Sequence, residues 1–133
     1  MTARRQGKET MNEYEGLKLE NQLCFPLYAC AKEVVRLYKP HLDEIGLTYT
    51  QYIVMMVLWE HAPMNVKELG KRLYLDSGTL TPLLKKLEAQ GLIRRERSAA
   101  DERSVDLSLT EQGFALRGRA AGIPLMMGGC LPL

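Results

Sequence analysis

The residue best suited to chemistry in this chain is a cysteine near its start. Cys24 and Tyr28 are four residues apart, so on a helix their side chains lie on one face. Tyr38 and Tyr49 follow near the end of the same segment and the start of the next one. Phenols can donate hydrogen bonds to a thiolate, and an accessible thiolate attacks the O–O bond of a peroxide to give a sulfenic acid. Cys24 is therefore a candidate redox-sensing thiol, with Tyr28, Tyr38 and Tyr49 as candidate phenol partners.

The alternative for Cys24 is ordinary packing, because a single cysteine on an apolar helical stripe commonly fills space in a core. Cys24 and Cys30 are six residues apart and nearly on opposite helix faces, which disfavours a disulfide, so Cys30 is expected to be inert. Cys130 lies on a glycine-rich tail, where it either reaches a sulfenic acid or is incidental. His41 and His61 have no partners at metal-ligand spacing, and no phosphate loop or catalytic triad is present. We therefore expect no metal, no cofactor and no enzyme activity.

A second group of residues has the order of secondary-structure elements that is typical of a DNA-binding motif. Val66–Leu73 and residues 76–90 are predicted to form two helices joined by a tight turn. Asp76 or Ser77 can cap the second helix, and Gly91 can end it. In helix-turn-helix proteins this second helix enters the major groove with its first residues at the base edges. The candidate DNA contacts on it are Ser77, Thr79, Thr81, Pro82, Lys85 and Lys86.

Two predicted strands, Leu92–Arg97 and Ser104–Leu109, follow the recognition helix and form a wing at residues 92–109. Arg103 near its tip suits the minor groove, whose negative potential attracts a guanidinium, and Asp101 could hold that side chain in position. The alternative is a merely solvated basic face, since nearby acidic residues partly offset the charge. The other candidate DNA contacts of the wing are Arg94 and Arg95, and Arg97 can also reach the flanking backbone.

The elements around this motif indicate a single, mainly α-helical domain with a small β-wing at residues 17–121. A first helix from Leu19 carries apolar residues at three- and four-residue spacing and is expected to be half-buried. Thr48 can cap a second helix that is apolar nearly all round and therefore central. Thr110 opens a last helix that Gly118 is expected to interrupt. Residues 1–16 are expected to form a flexible N-terminal arm, and residues 122–133 an irregular tail.

Composition restricts the class of protein further. The chain has 133 residues, a formal net charge of +2, and 46% hydrophobic residues, as in an ordinary folded domain. No apolar run approaches the roughly 20 residues that a transmembrane helix needs, and no secretory signal is recognisable at the start. Three cysteines, an odd number without framework spacing, fit a reducing compartment. We expect a cytoplasmic protein without a membrane partner.

Four segments of the sequence carry distinctive motifs: Leu19–Phe25, Leu47–Tyr49, Tyr74–Lys85 and Asp101–Val105. They resemble segments of the MarR-type organic hydroperoxide resistance regulators, which have a winged helix-turn-helix fold. The likeness runs roughly from Leu17 to Ala121. The Asn-Gln-Leu-Cys-Phe block is similar to the surroundings of the peroxide-sensing cysteine in that family.

The resemblance implies a homodimeric repressor of a palindromic, double-stranded DNA operator. An organic hydroperoxide would be its effector, oxidising Cys24 and so releasing the operator. By motif position, Tyr38 and Tyr49 would reach that cysteine from the other protomer, with Tyr28 nearby on its own helix. Some members of the family complete a disulfide with a second cysteine near the C-terminal region, and Cys130 could take that resolving role.

The sequence departs from the family pattern at its end. Family members carry a further long C-terminal helix that builds much of the dimer interface, and here that dimerisation helix looks truncated. A weakened homodimer is therefore expected. Three alternatives stay open: a truncated subunit that acts by heterodimerisation, a small-ligand-responsive MarR regulator, and a thiol peroxidase in which Cys24 turns over.

Overall fold

The computed structural model describes residues 13–128. Most of the expected N-terminal arm, the end of the expected tail and Cys130 lie outside these residues. The chain consists of two compact units, Met1–Arg36 and Leu37–Leu133. The boundary between them falls within the first helix.

The first unit begins with two short 3-10 turns, Glu15–Leu17 and Leu19–Asn21, followed by helix α1, Cys24–Asp43. The expected helix start at Leu19 is wrong. A helix from Leu19 would place Pro26 in its interior, where the proline ring clashes with a preceding carbonyl and no N–H is available. With the helix starting at Cys24, Pro26 lies in the first turn, where a missing N–H costs nothing.

The apolar stripe of α1 is also more accessible than the sequence suggested. Leu27 and Val35 of α1 are exposed, as is Leu23 just before the helix, and Leu42 is the buried residue of α1 among those described. The half-buried first helix expected from the spacing is therefore not seen in the single chain. Apolar residues at helical spacing predict an apolar face on the helix, but they do not show which part of the protein, or which partner, packs against that face.

Helix α2, Tyr49–His61, is the centre of the second unit, as its composition predicted. Thr48 caps it with a full capping box: the Thr48 hydroxyl accepts from the Gln51 N–H, and the Gln51 side chain accepts from the Thr48 N–H. Around it pack α3, Val66–Leu73, and α4, Ser77–Ala89, together with α5, Glu111–Ala120. The buried core residues of α2 are Tyr52, Val54, Met55 and Leu58.

A small antiparallel sheet completes this unit, with the strand order β1-β3-β2. Strands β2, Ile93–Arg97, and β3, Val105–Leu109, form the expected wing hairpin, with Arg95 opposite Leu107. Strand β1, Met64–Asn65, adds a third strand that sequence patterning did not predict. The mainly helical, winged helix-turn-helix architecture is thus confirmed.

The end of the described chain is more regular than expected. Helix α5 continues through Gly118 to Ala120, and a short helix α6 follows at Ile123–Met127. Ile123 and Met127 are buried, so their i, i+4 spacing anchors one helical turn on the core. Pro124 lies in the first turn of α6, where proline is tolerated. No helix within residues 13–128 is long and apolar enough to cross a membrane.

Candidate DNA-reading surface and thiol site

Helix α4 presents the polar face that its leucine spacing predicted. Leu80, Leu84 and Leu87 are buried against the core, which turns the opposite side of the helix outward. Thr81 is half-buried, and its hydroxyl donates to the Ser77 carbonyl oxygen at 2.8 Å. The remaining expected contacts on this helix are all exposed: Ser77, Thr79, Pro82, Lys85 and Lys86.

Asp76 fixes the start of α4. Its carboxylate accepts a hydrogen bond from the Thr79 backbone N–H at 2.8 Å, in the N-cap position. This backbone bond, assisted by the Thr79 side chain, lowers the pKa of the Asp76 carboxyl. The cap therefore depends on the charged form of the side chain.

Replacing Asp76 with asparagine should make the free energy of unfolding less dependent on pH below about pH 4. A carboxyl with a lowered pKa in the folded state contributes stability above its unfolded pKa, and loses it as pH falls through the folded value. In the parent chain this contribution is lost progressively as the pH falls below about 4, whereas an asparagine cap does not titrate. Urea unfolding at a series of pH values measures it. Parallel profiles for Asp76→Asn and the parent would contradict the assignment.

The arginines of the wing differ in their availability. Arg95 is partly buried, and its Nε and Nη2 groups both donate to the Glu88 carboxylate of α4, at 3.1 and 3.0 Å. Arg97 donates to the Glu102 carbonyl oxygen at 2.7 Å and so braces the hairpin. Arg94 is exposed, with a long contact of 3.4 Å to the Leu109 carbonyl oxygen. Arg95 and Arg97 thus hold the wing together.

Arg103 is the exposed and unengaged arginine of the wing. Asp101 accepts a hydrogen bond from the Arg103 backbone N–H at 3.0 Å. Within residues 13–128, the Arg103 guanidinium has no ion pair or side-chain hydrogen bond, with Asp101 or with any other group. Asp101 therefore shapes the turn that carries Arg103, rather than gripping its side chain.

A concavity of about 1070 Å³ lies between α3, α4 and the wing. Ser77, Asp101 and Arg103 line it, as expected for a shared surface. Three residues that the sequence did not single out line it too: Lys67, Lys71 and Tyr74. In the sequence, Lys67 and Lys71 are predicted on the outward face of α3 and Tyr74 at its end. The spacing of polar and apolar residues cannot distinguish such a binding surface from ordinary solvent exposure.

The thiol of Cys24 is accessible and lies at the first residue of α1. Tyr28 is one helical turn further on, with the Lys32 ammonium 5.4 Å from its ring centroid. Cys30 is also a free, exposed thiol, so the described chain contains no disulfide between the two.

The other two expected tyrosines form a cluster in the second unit. The Tyr38 and Tyr49 ring centroids are 5.1 Å apart. Tyr52, which the sequence reasoning missed, joins them at 5.8 and 6.3 Å and is only 2% exposed. Burial raises the pKa of Tyr38 and of Tyr52, so both phenols stay protonated and remain hydrogen-bond donors at neutral pH. The three-residue spacing from Tyr49 was the available signal for Tyr52.

The comparison with known proteins identifies the family. The model of the transcriptional regulator SarA/Rot family matches residues 36–116, which include α2, the recognition helix and the wing. The chain belongs to this family. As a member of the SarA/Rot family, it is a transcriptional regulator of the DNA-binding, winged-helix class, and the expected family resemblance is confirmed.

Other similarities agree with SarA/Rot membership. The organic hydroperoxide resistance transcriptional regulator of Bacillus subtilis (strain 168) is 56% identical over 113 residues, covering 85% of this chain and 77% of that protein. Reduced AbfR bound to DNA is 37% identical, with a TM-score of 0.76, over 88% of this chain and 84% of that chain. A MarR transcriptional regulator from Methanosarcina mazei, at 24% identity and a TM-score of 0.74 over 82% of this chain and 78% of that one, shares the fold.

Proposed function

We propose that this transcriptional regulator is a homodimeric repressor that senses organic hydroperoxides through Cys24. The reduced protein binds a palindromic double-stranded operator, and oxidation of the Cys24 thiol releases it. The observation that carries the proposal is the accessible thiol at the N-terminus of α1. It is supported by 56% identity to a Bacillus subtilis protein named as an organic hydroperoxide resistance regulator.

DNA recognition uses the concavity between α3, α4 and the wing. The exposed face of α4 enters the major groove, where hydroxyls and lysines contact base edges and phosphates. Arg103 enters the adjacent minor groove, because its guanidinium is exposed and makes no bond within residues 13–128. Arg95 supports the wing through Glu88, so its contribution to binding is indirect.

The sensing step is a two-electron oxidation. The Cys24 thiolate attacks one oxygen of the hydroperoxide, the O–O bond breaks, and an S–O bond forms. The departing alkoxide takes a proton from water and leaves as an alcohol. Sulfur is oxidised to a sulfenic acid, and the organic hydroperoxide is reduced. A single oxidation event per thiol is sufficient for a switch, so no catalytic turnover is required.

The tyrosines act as donors to the reacting sulfur. Tyr28 is on the helix that carries Cys24, one turn away. Tyr38 and Tyr49 of the other protomer supply further phenols. Burial raises the pKa of Tyr38, so its protonated phenol is suited to stabilise a thiolate or a leaving alkoxide. Tyr52 holds these two rings against the core of α2. A negatively charged or oxygenated sulfur beside this cluster would displace its rings, and α2 would transmit the shift to α3 and α4.

Substituting Cys24 with serine should abolish the response to peroxide while leaving DNA binding intact. Serine matches cysteine in size but is not oxidised, so Cys24→Ser should stay bound to DNA at hydroperoxide concentrations that release the parent protein. Fluorescence anisotropy with a duplex selected by the reduced protein from a random-sequence pool, titrated with cumene hydroperoxide, measures this.

Cys30→Ser is the matched control, because Cys30 is a second exposed thiol of the same helix. It should be released like the parent protein. Release of Cys24→Ser by peroxide, to the same extent as the parent, would remove Cys24 from the sensing role. Retention of both variants would instead show that release requires both thiols, which contradicts sensing by Cys24 alone.

A further inference from the structure

Helix α3 ends in a left-handed residue that is not glycine. Tyr74 has φ 58° and ψ 38°, and it is the one non-glycine residue with positive φ within residues 13–128. Its N–H and the N–H of Leu75 both reach the Gly70 carbonyl oxygen, which closes the helix end. Such closures favour glycine at the left-handed position, because a Cβ is crowded there. Tyr74 is therefore held under local backbone strain.

The surrounding backbone prevents this strain from relaxing. A Cβ at Gly70 would lie 2.6 Å from the Leu75 carbonyl oxygen, so the chain after Tyr74 passes tightly against α3. Asp76 then caps α4 two residues later. The path of the turn that sets α4 against α3 requires the left-handed conformation at position 74.

The Tyr74 side chain brings no compensating packing. It is 94% exposed, although a large aromatic ring could have been buried or replaced by a residue that suits the conformation. Strained residues are common at functional sites, and a strained residue whose side chain packs against nothing in its own chain is a candidate for contact with another molecule. The location of the ring indicates which molecule this is.

Tyr74 lines the concavity between α3, α4 and the wing, together with Lys67 and Lys71. Within the described chain neither lysine has an ion pair, so both ammonium groups face solvent as free positive charges. In helix-turn-helix proteins the first helix crosses the DNA backbone, and its end lies beside the phosphates that flank the recognition helix. A phenol between these lysines and the N-terminus of α4 is placed to donate to a phosphate oxygen.

We propose that the Tyr74 phenol donates a hydrogen bond to a DNA phosphate and so fixes how the recognition helix enters the major groove. The strained backbone is retained because this contact requires a long donor at position 74. The inference rests on the DNA binding of the proposed function and is independent of thiol chemistry. Since the contact is to the backbone, it strengthens binding on every sequence.

Two substitutions separate the contact from the strain. Asparagine accepts the left-handed conformation but has no phenol, so Tyr74→Asn should raise the melting temperature of the free protein by about 3 °C. Tyr74→Phe keeps the ring and the strain and removes only the hydroxyl. Each should weaken binding to a mixed-sequence duplex of about 30 base pairs by about 10-fold, the loss expected for a hydrogen bond to a charged group.

The salt dependence distinguishes a neutral donor from a charge. In anisotropy titrations between about 50 and 200 mM salt, both Tyr74 variants should keep the slope of the parent protein. Lys71→Ala, the comparison variant, should reduce the slope by about one for each protomer on the DNA, since it removes one phosphate-neutralising charge per protomer. A reduced slope for Tyr74→Phe would contradict a neutral contact and overturn the assignment.

The remaining outcomes are equally decisive. Parent-like affinity of both Tyr74 variants, with the parent binding the duplex, would overturn this inference and leave the proposed function standing. Parent-like affinity of Tyr74→Phe alone would mean that the ring, not the hydroxyl, makes the contact, and the phosphate assignment would fall. A lower melting temperature for Tyr74→Asn would refute the claim that the backbone of Tyr74 is strained. Absence of binding by the parent protein itself would remove both the inference and the proposed function.

Discussion

Replacing Arg103 with alanine is expected to weaken DNA binding about 5- to 150-fold, the effect of about 1–3 kcal/mol for a well-placed groove contact. The Arg103 guanidinium is exposed and makes no bond within the described part of the chain, so its removal takes nothing from the wing. Arg97 and Asp101 would still brace the hairpin through the Glu102 carbonyl oxygen and the Arg103 N–H. The loss would therefore report on DNA contact.

A control variant of equal charge and the choice of DNA sequence make this prediction specific. Arg117→Ala is the control, since Arg117 is an exposed arginine on α5, stacked over the Phe114 ring, and its loss changes the net charge equally. Arg103→Ala should also lose any preference for a narrow, A·T-rich minor groove, as seen in anisotropy with paired duplexes. Equal affinities for the Arg103 and Arg117 variants would show that the wing does not enter the groove.

Replacing Gly113 with alanine is expected to destabilise the fold by about 3 kcal/mol, at the upper end of overpacking substitutions. A Cβ on Gly113 would lie far inside van der Waals contact of the Leu92 carbonyl oxygen, which is backbone and cannot move aside cheaply. The Gly113 N–H is also bonded to the Thr110 cap, and its carbonyl accepts from the Trp59 indole at 2.9 Å. The substitution would push α5 away from both α2 and the start of β2.

Gly118 provides a matched control on the same helix. A Cβ there would meet nothing within 4 Å, so Gly118→Ala should stabilise the protein by about 0.5–1 kcal/mol through helix propensity alone. Urea unfolding followed by the fluorescence of Trp59, the single tryptophan, measures both. Equal stability of the two variants would contradict the close approach of α5 to Leu92.

The parts of this fold that could be predicted from sequence are those with local causes. Thr48 was proposed as a cap, Asp76 as one of two candidates with Ser77, and Thr110 as the start of the last helix. Each accepts a hydrogen bond from an N–H three residues later. Gly91 was expected in a left-handed conformation and has φ 79°. Such signals depend on a residue and its near neighbours, so they can be recognised without the tertiary structure.

What the sequence could not provide depends on contacts between distant segments. Strand β1 has only two residues, and it exists because Met64 pairs with Leu107 of β3. Arg95 pairs with Glu88 because the wing packs against α4. The sequence shows only that Arg95 is basic, and that charge alone suggested a DNA contact. The spacing of Tyr49 and Tyr52 places both rings on one helix face, but the contact between the Tyr52 and Tyr38 rings depends on how α1 packs against α2.

The central claim is that oxidation of one sulfur causes release of DNA, and parallel time courses test it most directly. Reduced protein bound to a labelled duplex is mixed with an equimolar amount of cumene hydroperoxide. Anisotropy follows release, while dimedone trapping and peptide mass spectrometry follow the sulfenic acid at Cys24. The account predicts that the two time courses coincide and that Cys30 stays reduced throughout. Release of DNA while Cys24 remains a thiol, or complete oxidation of Cys24 with the DNA still bound, would contradict it.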